Sequence, residues 1–132
     1  MSKKIVIIDD EPDICTYLTA ALEDYGFNSQ SVHDHQSFMP TIESVQPDLI
    51  ILDIMMPGRS GISMYKELKN HKTYPSVAVI MMSGMSAENE FSPEGVRNLL
   101  HDASIPLPEG FLEKPIQIPE LIQMINDILS KE

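Results

Sequence analysis

The run Ile50-Ile51-Leu52, ending in Asp53 and followed by Ile54-Met55-Met56-Pro57-Gly58, leaves this chain few folds to choose from. A short, continuous apolar run with no polar alternation is a strand buried on both faces. Such a strand belongs to a parallel sheet with helices on each side, and the Pro-Gly pair marks the turn beyond it. Asp53 then stands at the carboxyl end of its strand, the edge at which open parallel sheets bind ligands.

The rest of the chain repeats the pattern. Ile5 to Ile8 is a second buried run, and it stops at Asp9-Asp10-Glu11. Pro12 suits a first helical turn, where its missing N–H costs nothing. Ile14, Leu18, Ala21, Leu22 and Tyr25 follow at helical spacing, and Gly26 is placed to cap the helix. Phe27 to Val32 reads as a more polar strand at a sheet edge. His33-Asp34-His35 is loop and cap material, and Phe38, Ile42 and Val45 give a second helical face. A third helix of roughly three turns begins near Ser60-Gly61, with Ile62, Tyr65 and Leu68 on one side. Val77 to Met82 is a further buried strand, closed by Ser83-Gly84. Val96, Leu99 and Leu100 suggest a fourth helix, after which Pro106 and Pro108 forbid a regular element. Phe111-Leu112-Glu113 is a short strand leading to Lys114-Pro115, and Pro119 opens a last helix carrying Leu121, Ile122, Ile125, Ile128 and Leu129. Alternating strands and helices predict an α/β fold with a parallel sheet covered on both faces. Residues 1–132 are expected to form one domain, with an irregular segment near 85–110.

Composition narrows the functions. At 132 residues with 42% hydrophobic content the chain can bury a real core. No apolar run reaches membrane-spanning length, and the basic, apolar N-terminus lacks a small-residue cleavage site. Cys15 is the sole cysteine, so neither an intrachain disulfide nor a cysteine-based metal site can form. A cytoplasmic setting is expected. The formal net charge of −11 argues against direct nucleic-acid binding and favours cations or partners with a basic face.

Strand ends carry Asp9-Asp10, Asp53, Ser83 and Lys114, all on one edge of the expected sheet. Two carboxylates about 4 Å apart repel by roughly 4 kcal/mol at an effective dielectric near 20. Three stay ionised together only around cations. Lys114 supplies one charge, and an oxygen-seeking divalent ion such as Mg²⁺ supplies the rest. Without Cys or His nearby, zinc is disfavoured. A carboxylate beside Mg²⁺ and Lys is equipped to attack phosphorus, with the Lys ammonium and Ser hydroxyl holding phosphoryl oxygens.

Together the Asp9-Asp10 pair, Asp53 in Leu-Asp-Ile-Met-Met-Pro-Gly, Ser83 and Lys114-Pro115 resemble a response-regulator receiver domain of the CheY-like family. The resemblance spans nearly the whole chain. It implies a flavodoxin-like, doubly wound, five-stranded parallel sheet of order 2-1-3-4-5 with five helices. It implies phosphorylation of Asp53 by a histidine kinase or histidine phosphotransfer protein, and a switch that controls an output protein or domain rather than a conventional enzyme. Self-catalysed phosphotransfer and slow dephosphorylation are the most it would catalyse. Asp10 would bind Mg²⁺ directly and Asp9 more through water, while Asp53 and the Met55 backbone carbonyl would complete the ligands. Ser83 and Lys114 would meet the phosphoryl group, Phe111 matches the switch aromatic, and the bond before Pro115 would be cis. One departure stands out: Ser83 and Lys114 lie 31 positions apart, several more than is usual in the family.

Each piece alone has a plainer reading. Asp9 and Asp10 could cap the helix at Pro12, Ser83-Gly84 could be a turn, and Lys114 a solvated charge. Met55, Met56, Met81 and Met82 are expected to fill gaps around the strands. His33, His35, His71 and His101 are placed on loops and helix ends, and Cys15 is expected to be inert. Two other functions share the charges. A Mg²⁺-dependent phosphatase with an Asp nucleophile usually has a second acid two positions on, where Met55 stands, and a substrate cap for which the chain is short. A receiver-like binding module would never be phosphorylated.

Overall fold

The computed structural model describes residues 3–55, 60–71, 73, 76–84, 97, 100 and 104–130. Five strands, β1 (Lys4–Ile8), β2 (Asn28–Val32), β3 (Leu49–Asp53), β4 (Ala78–Ser83) and β5 (Gly110–Glu113), form one parallel sheet in the order β2-β1-β3-β4-β5. Four α-helices are defined among the described residues: α1 (Pro12–Asp24), α2 (Phe38–Val45), α3 (Gly61–Lys69) and α4 (Ile118–Leu129). That is one fewer than expected. The helix expected around Val96, Leu99 and Leu100 falls largely outside the described residues, of which Arg97 and Leu100 are helical.

Strand alternation divides the core. Ile5, Ile7, Leu49, Ile51, Ala78, Ile80 and Met82 point to the side covered by α1 and α4, where they meet Leu18, Leu22, Leu121, Ile122 and Ile125. Val6, Ile8, Ile50, Leu52, Val79 and Met81 point to the other side and meet Phe38, Ile42, Met64, Tyr65 and Leu68 of α2 and α3. Every residue of β3 and β4 is buried, which is why these strands read as unbroken apolar runs. β2 has a single neighbour and alternates in exposure, hence its polar sequence.

Local chemistry sets the helix ends. Pro12 opens α1, and Gly26, at φ 89°, turns the chain out of it. The Asp34 side chain accepts a hydrogen bond from Ser37 N at 2.8 Å and caps a short 3-10 turn before α2. α2 ends on Gln46 in the left-handed region, φ 54°, and Ser60 caps α3 through Ser63 N.

The irregular stretch before β5 is anchored by polar contacts that hydrophobic patterning does not reveal. The Tyr65 hydroxyl donates to the Pro106 carbonyl at 2.5 Å, and Arg97 donates to the Ile105 carbonyl at 2.6 Å. Glu109 occupies both main-chain groups of Val79: its N–H donates to the Val79 carbonyl, and its carboxylate accepts from Val79 N at 2.8 Å. One residue, through its backbone and its side chain, thus completes the β4 edge ahead of the first β4–β5 pair, Ile80 with Gly110.

At the other end of β3, α3 packs directly on the strand that carries Asp53. Gly61 N donates to the Ile54 carbonyl at 3.1 Å. A Cβ at Gly61 would overlap the Asp53 carbonyl oxygen and lie 2.5 Å from Ile54 Cα. Both obstacles are backbone, so relief requires moving α3 or the end of β3. Gly61→Ala is expected to cost about 2–3 kcal/mol, read as a lowered urea midpoint. An unchanged midpoint would show that the two elements separate easily.

Candidate functional site

β1 and β3 are neighbours in register, Ile8 with Leu52, so their carboxyl ends bring Asp9 and Asp53 side by side. The carboxylates of Asp9, Asp10 and Asp53 have oxygens that all lie within 4.8 Å of one another. Asp9 and Asp53 are buried and Asp10 is half-buried. Lys114 reaches in from the end of β5, placed by its own N–H, which donates to the Ser83 carbonyl at 2.7 Å. Its Nζ lies 2.8 Å from Asp9 Oδ2, 2.9 Å from Glu11 Oε1 and 3.3 Å from Asp53 Oδ2. The Lys114–Pro115 bond is cis, as the resemblance implies.

Two further donors fix the carboxylates. Met55 N donates to Asp53 Oδ1 at 3.0 Å, and Glu11 N donates to Asp9 Oδ1 at 2.9 Å. The plainer reading of Asp9 as a helix cap does not hold: α1 has no side-chain cap hydrogen bond, and Asp9 Oδ1 takes the N–H of Glu11, ahead of the helix, while its second oxygen faces the cluster. That oxygen, Oδ2, is buried and receives no well-aligned hydrogen bond, despite its closeness to Lys114. An open lone pair among three acidic oxygens fits a hard cation. The donor set is all oxygen, which suits Mg²⁺.

The electrostatics are those of a cluster short of positive charge. Burial raises the Asp53 pKa above its usual 3.8 and the Asp9 charge adds to the rise, while the Met55 N–H and Lys114 oppose it. Burial by itself would lower the Lys114 pKa. The adjacent carboxylates of Asp9 and Glu11, then the charge of Asp53, outweigh it and hold the ammonium above its ordinary 10.5. Cys15 is buried beside the cluster, and burial followed by the Asp9 charge pushes its thiol up to about 11. It is therefore protonated and inert near neutral pH, as expected.

The remaining expected residues are placed as follows. Ser83 ends β4, fully buried, with its hydroxyl donating to the Gly84 carbonyl at 3.1 Å rather than to a cluster carboxylate. Phe111 is half-buried in β5 against the α2/α3 side of the core. Met81 and Met82 are fully buried, but Met55 is 52% exposed and does not pack around the strands as expected. Once its N–H is committed to Asp53, its side chain points to solvent. Met56 and His101 lie outside the described residues. Sequence reading missed Glu11 as a partner of Lys114. Its only visible signal is that it completes the acidic triplet after β1.

Fold and site together define a parallel α/β protein with a carboxylate–ammonium cluster where the strand order reverses. The chain belongs to the response regulator receiver domain family, whose match spans residues 5–126. It is 29% identical over 131 residues to the phosphate regulon transcriptional regulatory protein PhoB of Escherichia coli K12, covering 99% of this chain and 53% of that protein. The chain thus spans about half the length of the curated relatives it matches. It superposes with a TM-score of 0.80 and 25% identity on the signal receiver domain of a histidine kinase from Syntrophus aciditrophicus, covering 98% of this chain and 92% of that one. A CheY-like receiver domain from Methylobacillus flagellatus shares the fold, with a TM-score of 0.77, 21% identity and coverage of 97% and 99%. The chain is a receiver domain of two-component signalling. No helix among the described residues is long and apolar enough to cross a membrane.

The raised Asp53 pKa has a definite sign in stability. A carboxylate that holds its proton more tightly when folded costs stability, and the cost grows as pH rises from 3.8 through its folded value. Lys114 has the opposite sense: its contribution is complete below 10.5 and is lost as pH rises through the folded value. Metal-free Asp53→Asn is expected to melt above the parent at pH 7, with the gap closing as pH falls toward 3.8. A lower melting temperature for the variant at pH 7 would show that Asp53 is stabilised by its surroundings.

Proposed function

We propose that Asp53 is the phosphoacceptor of this receiver, taking the group from a histidine kinase or histidine phosphotransfer protein. The observation that carries the reading is the convergence of Asp9, Asp10, Asp53 and Lys114 at one sheet edge, with Asp53 fixed by the Met55 N–H. In the transfer an Asp53 carboxylate oxygen bonds to phosphorus as the donor's phosphorus–nitrogen bond breaks. Mg²⁺, when bound, neutralises the carboxylates and the phosphoryl oxygens. Asp10 and Asp53 would hold it directly with the Met55 carbonyl, and Asp9, already tied to Glu11 N and close to Lys114, would act through water.

Lys114 is in place to pair with a phosphoryl oxygen, since its Nζ already lies beside Asp53. Ser83 would exchange its bond to the Gly84 carbonyl for one to the phosphoryl group, and Phe111 would turn inward as Ser83 withdraws. These moves shift the population between two arrangements of the β4 and β5 ends and so control an output protein or domain. Slow self-dephosphorylation returns the protein to rest. Residues 1–132 act as one receiver unit in the cytoplasm, with no direct contact to nucleic acid.

Incubation with acetyl phosphate and Mg²⁺, followed by intact mass, tests the reading. One added phosphoryl group in the parent and none in Asp53→Asn is expected. An adduct that survives Asp53→Asn, or catalytic turnover of small phosphate esters, would contradict it.

A further inference from the structure

We propose that Glu11 is a positioning residue that holds the Lys114 ammonium back from Asp53 in the unphosphorylated protein. The functional meaning of this restraint rests on the phosphoacceptor reading of Asp53. Glu11 occupies the N-cap of α1, yet its side chain makes no capping hydrogen bond. Its carboxylate instead reaches Lys114, 103 residues away in sequence, at 2.9 Å. The backbone beneath it is pinned, with the N–H given to Asp9 Oδ1 and the carbonyl accepting from Cys15 N at 3.2 Å. Only the side chain has a choice of partner, and it takes Lys114.

An ammonium has three donors, and Lys114 faces three carboxylates. The two short separations are to Asp9 and Glu11, 2.8 and 2.9 Å, and the long one is to Asp53, 3.3 Å. Asp9 is buried and held through Oδ1 by the Glu11 N–H, so it has little freedom to follow the ammonium. Asp53 Oδ2 already accepts a long hydrogen bond from Lys114 at 3.3 Å, and without Glu11 the ammonium is free to shorten it. Closer pairing there would put Lys114 in competition with a divalent cation for the same carboxylate.

Exposed ion pairs usually contribute little, and Glu11 is 58% exposed. Its partner differs: the Lys114 side chain is 14% exposed and lies between carboxylates a few tenths of an ångström apart in preference. A weak pull is enough to decide position there. Exposure also makes Glu11 the partner that can be given up. When Asp53 gains negative charge, Lys114 can leave Glu11 to water, whereas leaving Asp9 would strand a buried carboxylate. The restraint is thus strong enough to bias the resting site and loose enough to release.

Glu11→Ala removes the pull without removing a cap bond. Crystal structures of the metal-free parent and variant read it directly: Nζ to Asp53 Oδ2 is expected to shorten from 3.3 Å to about 2.8 Å. Calorimetry with Mg²⁺ alone reads the consequence. The dissociation constant is expected to rise about three- to five-fold in Glu11→Ala. The same change in a Lys114→Met background should move it less than about two-fold, since only the screened field of one exposed charge is lost. An unchanged Nζ–Asp53 separation in Glu11→Ala, or equal effects in the two backgrounds, overturns the proposal. A parent that binds no Mg²⁺ removes the phosphoacceptor reading instead, and the crystal separation still decides whether Glu11 holds Lys114.

Discussion

A single ammonium set among acids governs this structure. Lys114 is the cation within reach of Asp9, Glu11 and Asp53 in the described site, and it lies closer to the first two than to the third. The backbone arrangement follows from keeping that side chain in place. Lys114 N is bonded to the Ser83 carbonyl, which ties the end of β5 to the end of β4, and Ile54 N is bonded to the Met82 carbonyl, which ties β4 to β3. A shift of any one strand end would therefore move the ammonium relative to its carboxylates.

The parallel sheet is what makes such a crowd of charge tolerable. All five strands run the same way, so their ends release acids, a hydroxyl and an ammonium along one edge while the strand interiors stay apolar. Helices on both faces bury the strands, and the burial of Asp53 at the end of β3 raises its pKa. Burial weakens the case for permanent ionisation and strengthens the case for a cation at the same point.

Much of this was legible in the amino-acid order, and for physical reasons. β1, β3 and β4 are buried on both faces, so they appear as unbroken aliphatic runs whose ends mark the site. β2 was visible only as a polar stretch because it has one neighbour. What escaped was contact across long sequence separations with no periodic signal. Glu11 finds Lys114, Tyr65 finds the Pro106 carbonyl, and Glu109 caps Val79, none of which patterning reports. Met55 was misplaced because an apolar side chain suggests burial, while its backbone N–H is what the site uses. The close approach of Gly61 to β3 was equally silent, since a glycine near a helix start usually reads as a cap.

The claim that these carboxylates are assembled to hold a divalent cation is tested most directly by thermal unfolding against Mg²⁺ concentration. Binding to the folded state alone raises stability by RT ln(1 + [L]/Kd), about 2.7 kcal/mol at a hundred-fold excess over Kd. The melting temperature should climb with Mg²⁺ in the parent, and far less in Asp10→Asn, while equal concentrations of a monovalent salt leave both unmoved. A parent whose melting temperature ignores Mg²⁺, or one that climbs equally in Asp10→Asn, would contradict the account.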